Sequence, residues 1–285
     1  MTTFLPIRTD DAALAAYAQL LSACFPTTDK FTPAYLQWLY RDNPDGVAVG
    51  FDAWQDEQLA AHYVCIAARA HVHGAPVPVL LSLNTATHPA HQGKGLFTRL
   101  ATLTYAAGAS QGYHGVYGVA NANSTPGFLR KLDFQLVRPL EARIGLGRLP
   151  PRRSSASQRS FARLWDQRSL AWRAACPGKP LQARPRGALW QVQATALSAF
   201  VPAYAELDAA HLPAALALPG AHATFSPVRL FLGLRPDADG GYGRYMSIPQ
   251  RLRPSPLNLI WLPLAGSTQL APEAIDFSFL DFDAY

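Results

Sequence analysis

The segment from Leu81 to Ala107 constrains the fold of this chain more than any other. Apolar residues interleaved with Ser82, Asn84, Thr85 and Thr87 read as a strand, and Pro89 ends it because proline cannot donate to a ladder. Gln92-Gly93-Lys94-Gly95 then forms a short glycine loop, and Leu96, Leu100 and Leu103 recur at helical spacing. A strand, a glycine loop and a helix in that order make an anion site. The first N–H groups of a helix have no partner within it, glycines let a ligand approach the backbone, and the helix dipole favours negative charge.

Two nucleotide motifs are excluded on spacing. The phosphate loop needs GxxxxGK[ST] and the dinucleotide fingerprint needs GxGxxG, and the stretch from Gly93 to Arg99, GKGLFTR, completes neither. The run from Gln92 to Phe97 instead resembles the acyl-coenzyme A loop of the GNAT acetyltransferases, [RQ]xxGx[GA], with Phe97 where the family has a small residue. A second motif of that family, close to N…LYxKxGF, is matched at Asn121, Lys131 and Phe134, whereas Leu129 stands in place of its tyrosine and Asp133 in place of its glycine. The resemblance covers roughly residues 4–147, and its overall spacing is similar to a subgroup found near bacterial surface-polysaccharide genes.

The resemblance implies an α/β fold with a mixed, splayed central sheet flanked by helices, and acetyl-CoA as co-substrate without a metal. It assigns coenzyme contacts to Ala86, Thr87, Gln92, Gly93, Lys94, Gly95, Leu96, Phe97 and Asn121. Transfer to an amine also needs donors for the carbonyl oxygen and a path for a proton. Asn84 cannot act as a base but can orient the acceptor. With Leu129 at the tyrosine position, Tyr117, Ser124 or water remain as proton donors to a thiolate that, at a pKa of about 8.5, is a tolerable leaving group. Trp38 and Tyr40, on an aromatic helix begun by Thr32 and Pro33, either pack a core or line the acceptor pocket.

Composition sets the remaining bounds. With 285 residues and 49% apolar content, the chain is long enough for one large domain or two ordinary ones. There is no run of about 18 apolar residues and no signal-peptide pattern at Met1–Arg8, so a cytoplasmic location with no membrane partner is expected. Cys24, Cys65 and Cys176 are few and widely spaced, which favours buried thiols over disulfides. His71 and His73 share a strand face but have no third metal ligand. The net charge of +6 is regional: residues 138–186 hold twelve Lys or Arg against Glu141 and Asp166. That stretch lacks a nucleic-acid-binding module, so no specific nucleic-acid partner is expected.

Three regions are expected: an acyl-CoA-binding domain at 1–148, a Pro/Arg/Ser-rich linker at 149–158, and a C-terminal α+β region at 159–285 that shapes the acceptor site. Asp10 or Asp11 should cap a helix at 12–24, and Gly74-Ala-Pro marks a hairpin. The pattern of Phe161, Leu164, Trp165 and Trp172 predicts an amphipathic helix over 159–176. Strands are expected at 188–193, 242–248, 257–264 and 275–282. A degenerate second GNAT half is an alternative for this region, suggested by an echo of residues 35–46 in 228–241. No glycine loop follows residue 150, so a fragment ending at Arg148 is expected to keep the coenzyme site. The expected function is an acyl-CoA-dependent N-acetyltransferase acting on a small-molecule amine, such as an amino sugar or nucleotide-amino sugar. The competing reading is a non-catalytic acyl-CoA-binding pseudoenzyme or sensor, and a homodimer is compatible with either.

Overall fold

Two units divide the chain, and neither is continuous in sequence. Unit 1 takes Met1–Ala68, Pro78–Leu136 and Ile260–Gln269, and unit 2 takes Arg69–Val77, Val137–Leu259 and Leu270–Tyr285. The computed structural model describes residues 1–151, 158–179, 181–198, 200–208, 212, 225–236, 242–253 and 255–282. Most of the expected linker, residues 152–157, lies outside them. The expected boundary at residue 148 follows the chain, whereas compactness assigns ten residues from far downstream to unit 1.

The first half of the chain forms β1 (Thr2–Pro6), α1 (Asp11–Cys24), α2 (Pro33–Tyr40), β2 (Val49–Gln55), β3 (Gln58–Val72), β4 (Ala75–Thr87), α3 (Leu96–Ser110), β5 (Gly115–Ala120), α4 (Thr125–Lys131), β6 (Gln135–Pro139) and β7 (Glu141–Leu146). The second half forms β8 (Phe161–Arg163), α5 (Gln167–Ala174), β9 (Gln182–Arg186), β10 (Leu189–Ser198), β11 (Val201–Asp208), β12 (Val228–Leu234), β13 (Tyr245–Ser247), β14 (Asn258–Pro263) and β15 (Ile275–Ser278).

In unit 1 the strand order is β1-β2-β3-β4-β5-β14. Local chemistry sets its ends. The Asp10 side chain accepts from the Ala13 N–H at the start of α1, and Thr32 Oγ1 accepts from the Tyr35 N–H ahead of Pro33 in α2. His73 and Gly74, at φ of 48° and 81°, make the tight two-residue turn from β3 to β4. Strand β3 is buried almost throughout, because helices cover both of its faces. On the α3 face, Tyr63, Leu80, Leu100, Tyr105, Phe128, Phe134 and Ile260 share one core cluster. On the other face, Tyr17 of α1 stacks on His62 at 4.2 Å between ring centroids, with Tyr40 of α2 on the same imidazole at 5.7 Å.

β4 and β5 are parallel, but their paired register covers only Leu80–Ser82 against Val116–Gly118. β4 runs on to Thr87 and β5 to Ala120, so the two strands part beyond Ser82. The fold is therefore α/β, with a mixed, splayed sheet and helices on both faces.

Unit 2 repeats this layout. β9, β10 and β11 are successive antiparallel neighbours, β11 is parallel to β12 through Ala203 and Leu230, and β12 pairs with β7. The order β9-β10-β11-β12-β7 thus parallels β2-β3-β4-β5-β14, with the parallel pair in the same place. In each unit the strand beside the parallel pair comes from outside the local run. This supports a degenerate second GNAT half, on different grounds from those expected. Val228–Leu234 is the strand β12, corresponding to β5, and not a counterpart of the helix α2; residues 237–241 lie outside the described residues.

The helix expected over 159–176 is also corrected. Phe161–Arg163 is the strand β8, parallel to β15 and antiparallel to Ala70–Val72. Phe161 is fully buried there. The helix starts only at Gln167, where Asp166 and Ser169 form a capping box. The arginines nearby are engaged within unit 2: Arg159 bridges Asp276 at 3.0 Å, and Arg143 bridges Glu141 at 2.6 Å and stands over Tyr242.

Candidate acyl-coenzyme A site

The site begins where β4 loses β5. A short 3-10 turn, Pro89–His91, follows the strand, and Gly93 and Gly95 then adopt φ of 76° and 73°. This left-handed conformation is one that glycine takes without the cost a Cβ imposes. A Cβ added at either residue would meet no atom within 4 Å, so both backbones border open space. Gly95 is the N-cap of α3 and brings no side chain to the first N–H groups of the helix. These groups are left for a ligand, and an anion is what the helix dipole favours there.

The expected coenzyme residues divide by what their side chains do. Leu96 is buried, and Phe97 stands edge-on to Phe128 at 5.3 Å and to Tyr63 at 5.9 Å, so both contribute side chains to the core and only backbone to the loop. Phe97 replaces a small residue of the motif, and a glycine faces it: a Cβ on Gly127 would lie 3.2 Å from the Phe97 ring. The Gln92 amide donates to the Thr87 carbonyl at 3.4 Å, closing the loop back onto β4, while Lys94 Nζ is exposed, 3.2 Å from His91 Nδ1. Ala86 is buried and Thr87 half-buried at the end of the strand. Asn121 is turned inward on its own loop, its Oδ1 accepting from the Asn123 and Ser124 N–H groups. Asp133 holds φ of 55° where the motif has glycine. Aspartate is among the few other residues that tolerate that region.

Of the expected proton donors, Tyr117 is fully buried on β5 opposite Leu81. Ser124 Oγ donates to Asn121 Oδ1 at 3.1 Å within the turn that precedes α4. Trp38 and Tyr40 are both buried, Trp38 with its ring 5.6 Å from Tyr35. Tyr40 nevertheless reaches the site, because its hydroxyl accepts from Asn84 Nδ2 at 3.0 Å.

That contact depends on the backbone of Asn84, whose φ of 46° breaks the alternation of β4. Ser82, two residues earlier, points to the α3 face, where its Oγ is 2.7 Å from Tyr63 Oη. Strict alternation would send Asn84 to that face too. The left-handed residue turns it to the α2 face instead. Sequence reasoning missed the groups behind it. His62 lies directly opposite Asp52 across β2 and β3, with Nδ1 2.7 Å from Asp52 Oδ1 and Nε2 3.2 Å from Tyr40 Oη. Tyr17 donates to Asp52 Oδ2 at 2.6 Å. Burial, reinforced by the Asp52 charge, pushes the Tyr17 phenol up, which keeps it a donor. A buried-strand position occupied by histidine was the available signal, but its partner is fixed only by register.

Residues 6–137 match the family model described as the acetyltransferase (GNAT) domain. No curated protein sequence matches the chain. Among solved structures, it is similar to an Enterococcus faecalis V583 protein described as a probable N-acyltransferase, at 12% identity and a TM-score of 0.60 over 93% of this chain and 73% of that one. A GCN5-related N-acetyltransferase from Anabaena variabilis ATCC 29413 gives 11% identity and 0.59 over 92% and 73%. Eis1 from Mycobacterium abscessus gives 12% identity and 0.59 over 91% and 73%. At such identities the likeness concerns the fold, and it extends over both halves of the chain. The splayed strands, the glycine loop and the match to the acetyltransferase (GNAT) domain model coincide in one region, residues 6–137.

Proposed function

We propose that the chain is an acyl-CoA-dependent N-acyltransferase that moves an acetyl group from acetyl-CoA to the primary amine of a small molecule, such as an amino sugar. The observation that carries this reading is the uncapped start of α3 behind two open left-handed glycines, at the point where β4 and β5 part. The backbone N–H groups around Gly93–Phe97 hold the pyrophosphate, and Ala86 and Thr87 present the strand edge to the pantetheine arm. The amine nitrogen attacks the thioester carbon, the C–N bond forms, the C–S bond breaks, and the proton lost by nitrogen balances the departing thiolate. Asn84 meets the incoming amine, since it is the polar side chain that the left-handed turn of β4 delivers beside the parting strands.

Saturable binding of acetyl-CoA in isothermal titration is expected, together with release of free thiol when a panel of primary amines including glucosamine is supplied. Binding without turnover on any amine would identify a non-catalytic acyl-CoA-binding protein. Absence of binding would overturn the site itself.

A further inference from the structure

We propose that Asp52, His62 and Tyr40 form a buried positioning chain that holds the Asn84 amide with its carbonyl oxygen toward the opening between β4 and β5, where it accepts a hydrogen bond from the primary amine of the acceptor. The inference rests on the N-acyltransferase reading. It adds residues to that reading that neither the coenzyme loop nor the matched motifs contain.

Donor and acceptor counting fixes the order of the chain. The Asp52 carboxylate can only accept, so His62 Nδ1 carries a proton and donates to it at 2.7 Å. With a neutral imidazole, Nε2 is then an acceptor, and the Tyr40 hydroxyl, 3.2 Å away, donates to it. Having used its proton, the Tyr40 oxygen accepts from Asn84 Nδ2 at 3.0 Å. The other carboxylate oxygen is occupied by the Tyr17 hydroxyl, which itself accepts from the Arg8 N–H at 3.0 Å. With the imidazole neutral every step has one sense, and the last one sorts the two ends of the amide: nitrogen toward Tyr40, oxygen away from it.

Burial gives that sorting a direction. Tyr40 and His62 are fully buried and Asp52 is 2% exposed, whereas Asn84 is half-buried. The nitrogen therefore points into the protein and the oxygen toward its exposed side. Among the described residues the Asn84 oxygen has no hydrogen-bond partner. The side chain reaches Tyr40 only through a left-handed backbone in the middle of a strand, a conformation that asparagine tolerates. A buried histidine–carboxylate pair costs desolvation and orients only what it touches. Here the group at its exposed end is the amide beside the parting strands. An oxygen fixed in this way selects an acceptor that brings an N–H, and it lowers the amine's KM without touching the coenzyme.

The test combines kinetics with a spectroscopic readout. Tyr40→Phe is expected to raise the KM for the best amine of the panel about 10-fold, with the KM for acetyl-CoA unchanged. Asn84→Ala should do the same, and adding Tyr40→Phe to it should cause no further rise, because both changes remove one oriented oxygen. An unchanged amine KM in Tyr40→Phe, an equal rise in both KM values, or additive effects in the double variant would overturn the chain. Nuclear magnetic resonance of the wild-type side-chain amides decides the matter without disturbing the core. The Asn84 pair, identified by its loss in Asn84→Ala, should exchange with solvent more slowly than surface amides do, and exchange at the surface rate overturns the proposal. If the wild type acetylates no amine, the N-acyltransferase reading fails on that result, while the exchange rate still decides whether the chain exists.

Discussion

Replacing Gly95 by glutamate is expected to abolish acetyl-CoA binding in isothermal titration, a loss of at least about 100-fold. Three effects act at one atom position. The glycine is the N-cap of α3 at φ of 73°, so a side chain there strains the turn by about 1 kcal/mol. A Cβ would enter space in which nothing lies within 4 Å, the space proposed for the coenzyme. The carboxylate then brings a negative charge to a helix start proposed to hold a pyrophosphate. The same open surroundings argue that the variant folds, since no neighbour is displaced. Gly95→Asn separates the causes: asparagine tolerates the left-handed region and is uncharged, so it should bind more weakly than the wild type but measurably. Unaltered affinity in folded Gly95→Glu would place the coenzyme elsewhere.

The loop and the helix starts at Asp10 and Thr32 were legible in the sequence because each is a local event, decided within four or five residues. So was the β3–β4 hairpin, whose His73-Gly74 turn sits beside the break read at Gly74. Features set by partners distant in the chain were not legible. Phe161 fits a helical stripe as well as a strand, and only pairing with Ile275 and Val72 makes it β8. The strand Val201–Asp208 carries Glu206 and Asp208 among its apolar residues, and its pairing with β10 settles its identity. The positioning chain behind Asn84 needs the register that sets Asp52 opposite His62, together with a left-handed residue that alternation does not foresee. Phe97 departs from the motif when read alone, and becomes consistent with it once Gly127 is seen across from its ring.

A fragment ending at Arg148 should not behave as an independent coenzyme-binding domain, although it contains the whole glycine loop. Unit 1 includes Ile260–Gln269, and β14 is the neighbour of β5 in its sheet. Trp261 is fully buried there, its indole N–H donates to the Thr268 carbonyl at 2.9 Å, and its ring occupies the place a side chain on Gly115 would take. Ile260 joins the core cluster that holds Leu96 and Leu100, the first buried residues of α3. The Leu264 N–H also bonds the His114 carbonyl at 2.9 Å, just ahead of β5. Deleting this strand exposes one edge of β5 and opens a cavity the size of an indole, when truncating one large aromatic costs about 3–5 kcal/mol and a whole domain is stable by about 5–15. The fragment is therefore expected to be poorly soluble, to unfold without a cooperative transition in circular dichroism, and to show no saturable binding of acetyl-CoA. Trp261→Ala in the full chain should lower stability by about 3–5 kcal/mol in denaturant titration while leaving the loop itself unaltered. A soluble 1–148 fragment that unfolds cooperatively and binds acetyl-CoA as tightly as the full chain would show that β14 is dispensable to unit 1, and that the boundary drawn by sequence at residue 148 is the physical one.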